Sequence, residues 1–210
     1  MPTGSRGITG LRVISWNLLR LIGAGVEDVA ALIKRERPDL LLMQEATRDM
    51  EVLPSLVGGH MQRLQLPHRI HGLAAWSPHR LPSAHALELP VSRMPGRLPP
   101  RLAQVLRLGD ITFANVHLSH GQLLNRRQLF RIARTVEGPA ALIGDYNAVG
   151  PILLKGFKDV GPRKPTHHSG NMVPVRLDRC LVRGLHGVNP RTLERGPSDH
   201  HPIAVELRAA

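Results

Sequence analysis

The chain has 210 residues, 42% of them apolar but only 3% aromatic, with a formal charge of +12. That length suffices for one packed domain or two small ones, and a lone cysteine, Cys180, excludes an intrachain disulfide. No stretch reaches transmembrane length and the start, MPTGSRGITG, has no apolar signal core, so a reducing, cytoplasmic setting is expected.

Only four of the 28 basic residues are Lys, a skew that codon composition alone can produce, so the local density of charge says more than its total. Residues 60–136 hold 11 Arg and seven His against Glu88 and Asp110. A field concentrated in this way recruits polyanions better than a dispersed one; a merely solvated basic face is the alternative.

Residues 1–10 are expected to form a disordered tail and 11–210 a single catalytic domain. LRVISWNLL (11–19) and DLLLMQEA (39–46) have the apolar density of buried strands. Between them, GVEDVAALIKRERP places Val26, Val29, Ala30 and Ile33 on one helical face and stops before Pro38. RIHGLAAWS, HALELPV, AQVLRL and ITFANVHL read as further strands, although six Pro between 78 and 100 confine that region to edges and loops. LNRRQLFRIARTV has helical period, with Leu129, Ile132, Ala133 and Val136 inward and Arg127, Arg131 and Arg134 outward. AALIGDYN, VRLDRCLVR and PIAVEL complete the strands, and no internal repeat is visible. Such a mixture predicts an α/β or α+β domain with sheets covered by helices.

Several of these apolar runs end in ligand-type residues. Asn17 closes VISWN, Glu45 closes LLLMQE, His117 closes FANVH, and Asp145 and Asn147 close AALIGDYN. Asp178 interrupts VRLDRCLV, and Asp199 and His200 stand just before the last strand. Singly, a strand-end Asn or Asp caps a turn and a lone His is structural. Together, carboxylates and amides at several strand ends give hard oxygen ligands for Mg²⁺ or Mn²⁺, with imidazoles for proton transfer. That inventory suits metal-assisted attack of water on a phosphate ester.

In order, SWN, LLMQE, VHL, GDYNAV, RLDRCLV and SDHHPI resemble the signature blocks of the endonuclease/exonuclease/phosphatase superfamily, across residues 11–207. The resemblance implies a four-layer α/β (α+β) sandwich, two packed and mainly antiparallel β-sheets flanked by helices, with the site at one edge of the sheets. It further implies a metal set of Asn17, Glu45 and Asp199, with Glu45 the principal ligand. The catalytic set would be His117, Asp145, Asn147, Asp178 and His200. Asp145 would orient or deprotonate the attacking water and Asn147 would bind phosphate oxygens. His200, polarised by Asp178, would be general base or phosphate partner. His117 would stabilise the pentavalent phosphorus or assist the leaving oxygen.

The implied activity is that of a divalent-metal-dependent phosphoesterase, a nuclease cleaving DNA or RNA, with nucleic acid as partner and no stable membrane association. The alternatives are a phosphodiesterase or phosphatase on phospholipid headgroups or small phosphate esters, and a catalytically silent nucleic-acid-binding module. The only Tyr, Tyr146, lies within the GDYN block, which disfavours abasic-site repair. His117 and His120 lack the partners of a zinc site. His167 and His168 belong to the site rim or to a solvated loop, Arg126 and Arg127 read as helix-end charges, and Trp16 and Trp76 as core.

Overall fold

The apolar runs assemble into two six-stranded sheets. A computed structural model describes residues 10–92, 98–168, 170 and 173–210; the expected tail, Gly10 apart, lies outside the described residues. In the first sheet the strands lie in the order β11 (Leu185–Thr192), β12 (Ile203–Ala209), β1 (Leu11–Asn17), β2 (Leu40–Thr47), β4 (His71–Ser77), β3 (His60–Gln65). In the second the order is β5 (His85–Glu88), β6 (Leu102–Leu108), β7 (Ile111–His117), β8 (Ala140–Asp145), β10 (Asp178–Arg183), β9 (Lys158–Asp159).

Each sheet is antiparallel except at its centre. There β1 and β2 are parallel, joined through α1 (Val26–Glu36), and β7 and β8 are parallel, joined through α3 (Gln122–Thr135). The two sheets thus repeat one pairing pattern, a symmetry with no counterpart in the sequence.

Alternation along the strands builds the layers. Val13, Leu40 and Leu42 of the first sheet meet Phe113, Ala141, Ile143, Cys180 and Val182 of the second in the central core. The opposite faces are covered by helices. Val29, Ala30, Leu32 and Ile33 of α1 pack on Ile14, Trp16, Leu41 and Met43, while Leu129 and Ile132 of α3 pack on Ala114, Val116 and Leu142. The architecture is the expected four-layer sandwich, and Trp16, Trp76 and Cys180 are buried as expected.

Four elements have no counterpart in the sequence reading: β3, β9, β11 and the short α2 (Leu53–Val57) that follows a 3-10 turn over Arg48–Val52. β3 and β11 are edge strands, partly exposed and without apolar alternation, and β11 contains Gly187 and Pro190. Strand β10 begins at Asp178, three residues into the apolar run at 175, because Val175 pairs with His167 instead. Among the described residues no helix is long and apolar enough to cross a membrane.

Register brings the polar strand ends together. His117 at the end of β7 stands opposite Asp145 at the end of β8. Because β10 runs against β8, its first residue, Asp178, also faces Asp145. β12 runs against β1 with Ile203 opposite Ser15, so Asp199 and His200, just before β12, sit beside Asn17. The ends of four strands and the beginnings of two therefore share one edge.

Candidate active site

Asp145 is the hub. Its carboxylate accepts the Asn147 backbone N–H at 2.8 Å, the Asn17 amide at 3.1 Å and the Asn147 side-chain amide at 3.3 Å. The first is an Asx turn, which a short carboxylate forms with the N–H two residues on. It directs Asp145 and Asn147 to the cleft while Tyr146, between them, is buried and donates to the Leu142 carbonyl at 3.0 Å. Gly144 permits the approach of β8 to β7: a Cβ there would collide with the Val116 carbonyl. The Asn17–Asp145 contact joins the two sheets across the cleft floor.

Glu45 reaches the cleft through a bulge. The register of β2 against β4 slips between Gln44 and Ala46, and Glu45 takes a φ of +56°. Leu41, Met43 and Ala46 all face α1, so the extra residue breaks the alternation that would otherwise turn Glu45 toward the helix. A left-handed non-glycine at such a point is strain of the kind found at functional sites. Gln44, its neighbour, holds the sheets together, donating to Ser15 Oγ at 3.0 Å and to Asn115 Oδ1 at 2.7 Å. Asn115 in turn donates to the Met43 and Ala74 carbonyls and to Gln104.

His200 and Asp178 form the second pair, with Nδ1 2.8 Å from Asp178 Oδ2. Thr166 Oγ1 accepts the backbone N–H groups of Leu177 and Asp178, and Ser198 Oγ donates to the Asn17 carbonyl at 2.7 Å. Trp16 Nε1 donates to the His200 carbonyl at 3.0 Å. The loops carrying the pair are thereby fixed to β1. Arg176 and Arg179, which flank Asp178 in the chain, pair with Asp159 and leave Asp178 to His200.

Asn17, Glu45, His117, Asp145, Asn147 and His200 line a cleft of about 610 Å³, with Asp178 buried behind His200. Asp145 Oδ2 lies 3.4 Å from His117 Nε2 and 3.9 Å from His200 Nε2. His167 also enters the cleft, with Nε2 3.3 Å from Asp199 Oδ2 and its ring edge against His200. The sequence reading missed Arg20, Arg69 and Arg101 as cleft residues. Arg69 and Arg101 belong to the basic segment, but Arg63 is spent on Glu51, and Arg126 and Arg127 are exposed on α3, so its arginines do not share one face.

Burial and charge set the protonation. Burial opposes a charge on His200, but the carboxylates of Asp178, Asp145 and Asp199 and the hydrogen bond to Asp178 raise its pKa to about 10. Burial, with Arg101 and His200 nearby, holds His117 well below the ordinary histidine range, so it is neutral. Burial also raises Asp145, against the pull of His200 and its amide donors. A neutral imidazole, an imidazolium and a carboxylate of raised basicity therefore face one another.

Among the described residues two groups of side chains can converge on a cation: His167, Asp199 and His200, and Asp145, Asp178 and His200. Glu45 lies in the same cleft but bonds Arg20, whose Nη1 is 2.9 Å from Oε2. Asp199 Oδ1 is buried with no hydrogen-bond partner, as is Asp178 Oδ1. Of the expected metal set only Asp199 belongs to one of these two groups, with an orphaned oxygen of the hard kind a divalent cation takes, whereas Asn17 Oδ1 accepts the Leu19 N–H at 3.1 Å.

A family model, the Endonuclease/Exonuclease/phosphatase family, matches residues 14–200 and so spans every residue that lines the cleft. The chain belongs to that family. Among solved structures, an endonuclease/exonuclease/phosphatase from Bacteroides vulgatus superposes with a TM-score of 0.78 at 16% identity, over 96% of this chain and 100% of that one. A functionally unknown conserved protein from Enterococcus faecalis V583 gives 0.76 at 19% identity, over 95% and 100%. TDP2 from C. elegans gives 0.75 at 20% identity, over 97% of this chain and 76% of that one. At such identities these likenesses establish the fold. No curated protein matches the sequence.

Proposed function

We propose that the chain is a divalent-metal-dependent phosphodiesterase that hydrolyses DNA or RNA. Family membership supports a phosphoesterase in general. The observation that carries the reading further is the Asp145 carboxylate, held by three amide donors between a neutral and a cationic imidazole.

In this reading Asp145 takes the proton of the attacking water, its raised pKa making it the better base. Asn17 and Asn147 fix the carboxylate and present amide N–H groups to the phosphate. His200, its Nδ1–H held by Asp178, turns Nε2–H toward the non-bridging oxygens as an imidazolium and stabilises charge that grows in the transition state. A pKa of about 10 supports the phosphate-partner role over the general-base role for His200. Neutral His117 can donate a hydrogen bond from its single ring N–H toward the leaving oxygen. Arg69 and Arg101 supply the positive field that draws the phosphate in. Glu45, Asn17 and Asp199 would hold the cation, which when bound supplies Lewis-acid stabilisation of the phosphoryl oxygens.

Purified protein assayed with Mg²⁺ or Mn²⁺ against plasmid DNA, single-stranded RNA, bis-p-nitrophenyl phosphate and sphingomyelin tests the reading. Cleavage of nucleic acid and of the nitrophenyl diester is expected. Turnover of sphingomyelin alone would overturn it in favour of the headgroup reading.

A further inference from the structure

A second cavity, of about 880 Å³, adjoins the cleft and shares Val149 and Val175 with it. Its walls are the segment that follows Asn147 and the start of β10. Five cations face it, Lys155, Lys158, Arg163, Arg176 and Arg179, against the single carboxylate of Asp159. Asp159 is already shared: Arg176 holds it through two bonds of 2.7 and 2.8 Å, and Arg179 approaches to 3.3 Å. Arg179 also donates to the Ala148 and Gly150 carbonyls, which anchors the groove floor to the residues just beyond Asn147.

Arg176 and Arg179 are therefore structural, and three cations are left over. Lys155 and Lys158 are exposed, with no carboxylate at ion-pair distance among the described residues, and Arg163 keeps a loose 3.7 Å contact with Asp159 while three-quarters exposed. Leu153, 94% exposed, lines the same cavity, while Ile152 is half-buried against the core beneath α3. Two unpaired lysines and a loosely paired arginine in one cavity with an exposed leucine suit a strand whose phosphates and bases are both accessible. A duplex turns its bases inward and would leave the leucine uncovered. The volume lies in the upper part of the range of ligand pockets, roughly 300–1,000 Å³, and exceeds what a lone phosphate fills.

We infer that this groove is a nucleic-acid subsite: it seats the single strand flanking the scissile phosphate, with Lys155, Lys158 and Arg163 on backbone phosphates and Leu153 against a base. The inference rests on the proposed nuclease reading for its scissile phosphate, but not for its binding. It places a polyanion track in residues 149–179, outside the basic segment 60–136.

The test compares wild type with K155A/K158A/R163A on three substrates: bis-p-nitrophenyl phosphate, a dinucleotide, and a single strand of about 15 nucleotides. The variant should match wild type on the first two and lose about tenfold or more in kcat/KM on the third, through KM. The slope of log Kd against log salt for that strand should fall by about two, as three phosphate contacts are lost. L153S should weaken binding of the single strand and leave a duplex of equal length unaffected. An unchanged long-strand KM, an equal loss on all three substrates, or equal losses on duplex and single strand would each overturn the assignment. So would loss of phosphatidylserine-vesicle binding with strand binding intact. If wild type cleaves no phosphodiester, the nuclease reading fails alone, because fluorescence anisotropy of the labelled strand still reads the groove.

Discussion

Asp178→Asn removes the carboxylate that faces His200 Nδ1 at 2.8 Å while keeping its shape. Burial alone would depress the imidazole, so the pKa of about 10 is owed to the carboxylates around it, Asp178 foremost. At pH 7.5 a pKa of about 10 leaves roughly 300 imidazoliums for each neutral ring. Without Asp178, burial acts against Asp145 and Asp199 alone, and at its ordinary value the ring would be charged in about one molecule in ten. If the imidazolium is the phosphate partner, kcat falls by up to about tenfold on that count. Loss of the enforced tautomer can extend the fall to about 10⁴.

The pH dependence has a definite sign. A folded pKa above the unfolded one adds stability that is complete below about 6.5 and disappears as pH rises through about 10. The full span is worth about 5 kcal/mol at most, and breaking one buried partner should cost about 3 kcal/mol at neutral pH. Wild type should thus lose stability between pH 7 and 10 more steeply than the variant. The assay is kcat per folded molecule on bis-p-nitrophenyl phosphate, with an NMR titration of the His200 ring in EDTA and a melting temperature from the same preparation. Wild-type kcat in the Asn variant, or an unmoved titration, would refute the reasoning.

Glu45→Gln should raise the concentration of Mg²⁺ or Mn²⁺ needed for half-maximal activity by at least about tenfold, since the amide cannot balance a hard cation; a metal titration of turnover reads it. Asn115→Ala strips donors from two backbone carbonyls and Gln104 between the sheets. It should cost about 1–3 kcal/mol in denaturant unfolding, with little change in m-value. Burial raises the Asp159 carboxyl, but its bonds to Arg176 outweigh that and hold it below the ordinary range. Its stabilisation is present above about pH 4 and lost as pH falls further, so Asp159→Asn should flatten the acid limb of a melting-temperature profile.

The site was far more legible in the sequence than the surface around it. Asn17, His117 and Asp145 lie at strand ends and Asp178 at a strand start, and parallel pairing in one place and antiparallel pairing in another makes those positions coincide. Six polar interruptions of apolar runs mark them without any geometry. Glu45 was legible as a residue but not as a conformation, because a bulge is a slip between two strands and leaves no local signature in LLLMQEA. Arg20, Arg69 and Arg101 were hidden for a different reason. Arginine is so abundant in this chain that the three in the cleft look like those on α3, and only tertiary contact separates them. Asn125 and Gln128, buried on the inner face of α3, broke the apolar pattern and drew no attention. Both serve loops at the cleft, Asn125 donating to the Asn147 carbonyl and Gln128 accepting the Ser119 N–H and donating to Ser119 Oγ beside His120. Edge strands β3 and β11 were invisible because neither buries a whole face, β3 having no buried residue and β11 only Leu185, so no apolar alternation marks them.

The most direct test of the central claim is hydrolysis of bis-p-nitrophenyl phosphate across a Mg²⁺ and Mn²⁺ titration, by wild type and Asp145→Asn side by side. The account predicts saturable, cation-dependent turnover in wild type, abolished by EDTA and reduced at least about 10³-fold in the variant, which loses both the base and the carboxylate that three amides position. Turnover that persists in EDTA, or that the variant retains, would contradict it.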